Sequence, residues 1–132
     1  IKLTIGESEK YGRFQKYSEK MDQAVSTFLK TSSHLMQVAS RGDIEVFLAD
    51  ATLYLEMAGI ITIAWQWLKQ ANCAEKQSAG CGDEALKNFY EAKIHTMKYF
   101  FKYELPRAET ISGILFDDDI LTAGVDPVLF VD

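Results

Sequence analysis

The chain has 132 residues, of which 48% are hydrophobic, 25% charged and only two proline; that is enough for one domain with a real core, and it tolerates long helices. The net charge of −5 argues against a nucleic-acid binder, whose phosphates demand a basic face, and weakly against an anionic membrane surface. Cys73 and Cys81 flank a loop where a bridge is sterically conceivable, but no apolar run long enough for a signal peptide opens the chain, so two free thiols in a cytoplasmic protein are expected.

Residues 1–6 alternate apolar and polar and then reach Gly6, which reads as a short strand or an extended lead-in. The start at Ile1 rather than Met hints at a fragment, a processed chain or missing upstream residues. From about Tyr11 a helix is predicted over 11–41, on the line Phe14, Tyr17, Met21, Ala24, Phe28, Thr31, Leu35 and Val38, with Val25, Leu29, Met36 and Ala39 as a flank. Gly42 is placed to end it in a left-handed conformation, and Asp43 to cap the next helix. So short a turn makes the two helices antiparallel neighbours.

The second helix, predicted over 43–74, carries two apolar lines side by side. One is Phe47, Ala51, Tyr54, Ala58, Ile61, Trp65, Leu68; the other is Leu53, Met57, Ile60, Ala64, Trp67, Ala71. Polar residues fall on a third line, Glu45, Thr52, Glu56, Gln66 and Gln70. A helix with so wide an apolar arc needs more than one neighbour, so it is read as the centre of a bundle. Asp50, Glu56 and Gln66 interrupt it too often for a membrane span of about 20 apolar residues. Gly59 lies in its interior, where glycine costs about 1 kcal/mol relative to alanine. A compensating close contact between helices is therefore expected there, with Gly59→Leu overpacking it by roughly 1–3 kcal/mol.

Residues 76–82 compose a loop, and Asp83 is a good N-cap for a third helix over 83–104. Its apolar line is Leu86, Tyr90, Ile94, Met97, Phe101, Leu105; a second line is Ala85, Phe89, Ala92, Tyr99, Tyr103. Pro106 breaks or kinks the helix, and a fourth is predicted over 106–116 with Ala108, Ile111, Ile114 and Leu115 inward. The acids of 116–119 stop it, and the apolar tail is irregular. The expected fold is all-α, an up-and-down bundle of about four helices in a single domain over 1–132.

Chemistry is harder to find. Gly80-Cys81-Gly82-Asp83-Glu84-Ala85 matches a dinucleotide fingerprint, but it follows a helix rather than a strand, and its acids would repel a pyrophosphate. A di-iron bundle needs Glu-x-x-His, which does not occur; Glu91 and His95 are four apart and suit a surface pair. His34 and His95 have no partners at metal-ligand spacing, and no nucleophile–histidine set stands out. Trp65, Trp67, Phe100 and Phe101 sit at core spacing rather than as a cofactor lining. Lys93, beside Tyr90, Ile94 and Met97, reads as a lysine whose stem lies on the apolar arc with its amine in water.

Two blocks carry a family resemblance: ADATLYLEMAGIITIAWQWLKQA (49–71) and FYEAKIHTMKYFFKYELPRAETISGI (89–114). The features are Leu55-x-x-x-Gly59, the tryptophans of the helix end, Phe89-Tyr90-x-x-Lys93, and Leu105-Pro106 after the aromatic run 99–101. In these the chain resembles the C-terminal helical domain of acyl-CoA dehydrogenase-like flavoproteins, most closely the larger, methylmercaptopropionyl-CoA dehydrogenase-like branch. The resemblance implies a parent enzyme that uses FAD to introduce an α,β double bond into an acyl-CoA thioester. The glutamate base and the flavin-binding parts lie upstream of the matched region, so no catalytic, cofactor-binding or metal residue is carried onto this chain. It implies instead a non-catalytic domain or fragment that packs on the catalytic body or on a second copy of itself, with no FAD of its own. Gly59, Trp65, Tyr90, Lys93 and Phe101 are the candidate packing or interface residues. The other reading is a stand-alone helical interaction module. Two full lines on the central helix, flanks on its neighbours and an apolar tail offer more apolar surface than a small bundle readily hides, so self-association as a two-fold dimer is expected.

Overall fold

The structure, a computed structural model, describes residues 1–42, 44–117, 121 and 126–130, save the side chains at 46 and 127. Its described residues are helical: α1 (Lys2–Ser8), a 3₁₀ turn (Gly12–Phe14), α2 (Gln15–Ser40), α3 (Ile44–Ala49), α4 (Ala51–Ser78), α5 (Glu84–Tyr103), α6 (Arg107–Leu115) and a last 3₁₀ turn (Pro127–Phe130). The all-α class expected from periodicity is what they form.

α4 is the centre, packed by α1, α2, α5 and α6. Its two apolar lines turn inward: Met57, Ile60, Ile61, Ala64, Leu68 and Ala71 are buried, and the other members are half-buried. The third line, Glu45, Thr52, Glu56, Gln66 and Gln70, is exposed. Against α4 lie Phe14, Tyr17 and Met21 of the 3₁₀ turn and α2, then Ile94, Met97 and Phe101 of α5, and Ala108, Ile111 and Leu115 of α6. Phe101 meets Tyr17 edge to face at 5.6 Å, and Phe28 stacks on Tyr54 at 5.2 Å. Arg13, before α2, reaches Glu75 late in α4, whereas Ser32 in α2 bonds Tyr54 early in α4 at 2.9 Å, so the two helices run antiparallel.

Four expectations are corrected. Residues 2–8 form a helix, neither strand nor extended lead-in, because a buried polar cluster docks them on α4. Trp65 Nε1 donates to Thr4 Oγ1 at 2.8 Å, and Asn72 Nδ2 donates to the Thr4 carbonyl at 3.1 Å. The Ser8 hydroxyl points at both the Thr4 carbonyl (2.8 Å) and Asn72 Oδ1 (2.9 Å). Second, the helix expected over 43–74 is interrupted at Asp50, whose backbone leaves helical geometry (φ −110°, ψ 24°). Aspartate is a weak helix former in an interior, and the break starts α4 afresh with its lines facing the core. Third, the inward face of the fourth helix differs from the one expected. Pairing Lys93 with Trp67, then Arg107 with Glu56, then Thr31 in α2 with Ser112, shows α6 running on from α5 past Pro106. The kink is local: the Leu105 N–H reaches the Phe100 carbonyl at 2.9 Å, five residues back. Ile114 is exposed, and Ser112 takes an inward place with its hydroxyl 2.8 Å from that of Thr31.

The fourth correction is Gly59. A Cβ built there meets nothing within 4 Å, so among the described residues no other helix packs closely on it. The two termini expected from capping residues do form: Gly42 takes φ +93° after α2, and Asp83 Oδ1 accepts from the Ala85 N–H at 2.8 Å. Asp43, the acids at 118–119, and residues 120, 122–125 and 131–132 lie outside the described residues.

Asn72→Leu removes both bonds that tie the Thr4 carbonyl and the Ser8 hydroxyl to α4, and denaturant melts should show a loss of about 1–3 kcal/mol. Cys73→Ser, one residue along on the exposed side, should stay within about 0.5 kcal/mol of the parent. Gly59→Leu, with open space for its side chain, should raise the melting midpoint of dilute protein by about 0.5–1 kcal/mol of helix propensity instead of overpacking the core.

Candidate functional site

The five residues singled out from sequence do not converge on one place. Phe101 is fully buried and belongs to the core. Trp65 and Trp67, two residues apart, point about 200° from each other around α4. Trp65 fastens α1 through Thr4, while Trp67 faces α5. There the Lys93 ammonium sits 5.7 Å from the Trp67 ring and 5.4 Å from the Phe89 ring, with Tyr90 packed edge to face on Phe89 at 5.8 Å. Lys93 thus lays its charge against aromatic faces at the seam between α4 and α5, a contact of roughly 0.5–1 kcal/mol at a partly exposed site. Gly59 stands apart, on the outward side of α4.

The charged groups that do converge make structural pairs. Arg13 binds Glu75 of α4 and Glu91 of α5, the latter at 3.0 Å, clamping the start of α2 to both. Desolvation opposes the charge on the Arg13 guanidinium, but its hydrogen bonds to Glu91 and Glu75 outweigh that and hold its pKa above the ordinary arginine value. Arg107 bridges Glu56 of α4 and Glu104, the latter at 2.9 Å. Each of these groups keeps substantial solvent access, so each pair contributes at most about 1 kcal/mol. Among the described residues no cluster of histidine, cysteine and carboxylate has metal-binding geometry, and both cysteines are free thiols.

The glycine loop before α5 is filled by its own chemistry. Asp83 accepts from the Ala85 N–H at 2.8 Å and from the Leu86 N–H at 3.4 Å, and Glu84 stands in the first turn. The amides a phosphate would use already hold a carboxylate, so this loop does not fit the pyrophosphate of a flavin nucleotide. Beside a shallow, open groove of about 520 Å³ along Ser26, Leu29, Ser33 and Gln37, two smaller cavities flank α2. One, about 160 Å³, is lined by Leu35, Val38, Phe47, Tyr54 and Leu115 among others; the other, about 180 Å³, lies over Phe101 and Leu105 beside Lys20 and Glu109. Both fall below the roughly 300–1,000 Å³ of typical ligand pockets.

The fold leaves apolar side chains exposed on several helices, α4 and α5 among them. On α5 the second apolar line faces solvent: Phe89, Tyr99 and Tyr103 are each more than half exposed. On α4, Leu55 is 68% and Ile63 48% exposed, either side of Gly59. The surplus apolar surface expected from the central lines therefore comes from elsewhere, since those lines are covered by α1, α2, α5 and α6. Sequence reasoning missed the Asn72 cluster and the Arg13 clamp. The first had a signal: prolonging the line Trp65, Leu68 by one step of four lands on Asn72.

A family model described as acetyl-CoA dehydrogenase C-terminal like matches residues 1–121. No curated protein and no solved structure matches the chain. No helix among the described residues is long and apolar enough to cross a membrane. A match that takes in α1 to α6 places the kinked α5–α6 column and the central α4 in one family pattern, and on it this chain belongs to the acetyl-CoA dehydrogenase C-terminal-like family.

Proposed function

We propose that this chain is the non-catalytic helical domain of an FAD-dependent, acyl-CoA dehydrogenase-like enzyme. The observation that carries the reading is the family match over 1–121. Its work is structural: it packs on the catalytic body or on a neighbouring subunit. The local chemistry supports this. The converging charges are tied up in ion pairs, and the α5 N-terminus is closed by Asp83. The blocks 49–71 and 89–114 favour the larger, methylmercaptopropionyl-CoA dehydrogenase-like branch for the parent. Free Cys73 and Cys81 suit a reducing compartment, and we place the protein in the cytoplasm.

The parent's flavin would be held by residues of the catalytic body, and no step of its chemistry is assigned to a side chain of this domain. The reading frame tests the parentage: upstream codons for a flavin-binding body support it, and a start codon beside Ile1 overturns it. The purified chain should be colourless and release no flavin on denaturation. An absorbance spectrum with flavin bands at close to one equivalent would contradict the non-catalytic assignment.

A further inference from the structure

The cavity between α2, α3 and α4 is too small for a drug-sized ligand, but its volume of about 160 Å³ suits a single ring. An apolar cavity of about 150 Å³ in a protein interior takes up benzene. Here Leu35, Val38, Phe47, Ala51 and Leu115 supply apolar walls from α2, α3, α4 and the end of α6. Tyr54 is a fixed wall. Its ring stacks on Phe28 at 5.2 Å, and its hydroxyl lies 2.9 Å from Ser32 Oγ. The Ser32 hydroxyl already donates its proton to the Phe28 carbonyl at 2.8 Å. Tyr54 is therefore the donor in their shared bond, and its oxygen keeps only acceptor capacity.

The charged and titratable groups of the lining are Asp50, Asp117 and His34. Asp50 holds the N-cap place of α4, where an aspartate ordinarily accepts from an amide of the first turn, yet its side chain makes no such bond. It lines the cavity instead, at the point where the helix breaks. His34 packs on the Phe116 ring with the centroids 4.5 Å apart.

We propose that this cavity is a binding site for a compact aromatic amine, one ring with an ammonium on a short stem. The ring takes the apolar walls, and the ammonium takes the acidic end. Two carboxylates against one imidazole leave that end negative whether or not His34 is protonated. The carboxylates and the Tyr54 oxygen accept without donating, so ammonium protons find partners there, whereas a ligand carboxylate meets like charge. The second cavity lacks this selectivity, since Lys20 and Glu109 at its rim are of opposite sign. This inference does not rest on the parentage proposed above.

Benzylamine, toluene and benzoate, titrated separately into the isotope-labelled chain at neutral pH, read the site through amide chemical shifts. Benzylamine should shift the amides around Val38, Ala51 and Leu115 saturably, and bind at least tenfold tighter than benzoate. Ala51→Phe places a ring of the protein's own in the cavity and should weaken benzylamine at least tenfold. Should that variant fail to fold, Asp50→Asn decides, because it keeps the shape and removes a charge. Asp50→Asn should weaken benzylamine at least threefold and leave toluene within twofold. The absence of saturable shifts with benzylamine, shifts scattered away from the cavity, equal binding of benzoate, or benzylamine binding unchanged in Asp50→Asn would each overturn the site. None of these results bears on the reading frame that tests the parentage, so the two proposals fail separately.

Discussion

Everything in this fold follows from the need to cover two adjacent apolar lines on α4. A single neighbour buries one stripe of a helix, and α4 carries about twice that width, so one partner leaves half of it in water. The chain answers with four elements. α2 and the α5–α6 column take most of the arc, and α1 closes the gap beside Trp65. Since apolar burial gains roughly 25 cal/mol per Å², these contacts outweigh the surface ion pairs. The Arg13 and Arg107 pairs choose which helix ends meet, while the buried lines hold them together.

The covering of α4 also explains where polar groups enter the interior. α1 is a helix of seven residues, too short to be stable by propensity alone. It persists because Thr4 and Ser8 turn into a site where Asn72 and Trp65 satisfy them. Among the side-chain nitrogens and oxygens described as buried, none lacks a hydrogen-bond partner. Thr31 and Ser112 do the same for α6 on α2, with one bond between two hydroxyls on helices far apart in sequence. Each pairing also fixes register, because a slip of one residue would bury a hydroxyl with no partner.

The long helices were legible because their apolar residues repeat every three and four positions, and because Gly42, Asp83 and Pro106 punctuate them by local chemistry. What was not legible depended on tertiary partners. Residues 2–8 alternate like a strand, and only the polar site on α4 makes them a helix. The break at Asp50 hides inside a continuous periodic pattern, and the direction of α6 after Pro106 is set by Thr31 and the floor of α4. Gly59 shows the limit from the other side. Glycine inside a helix was read as a close contact between helices, but among the described residues the space above it is open. As for the candidate site, the order of motifs pointed to the family, whereas the exposed Leu55 and Ile63 of α4 and the aromatic row of α5 appear only when the lines are sorted by burial.

Native-state hydrogen exchange tests the central role of α4 most directly. Opening free energy is highest where an element is covered on the most sides. The amides at 57–72, which lie under α1, α2, α5 and α6, should exchange slowest in the chain, with α1 opening well before them. If α4 exchanged earlier than α2 or α5, it would be a peripheral helix, and the fold would not be organised around its two lines.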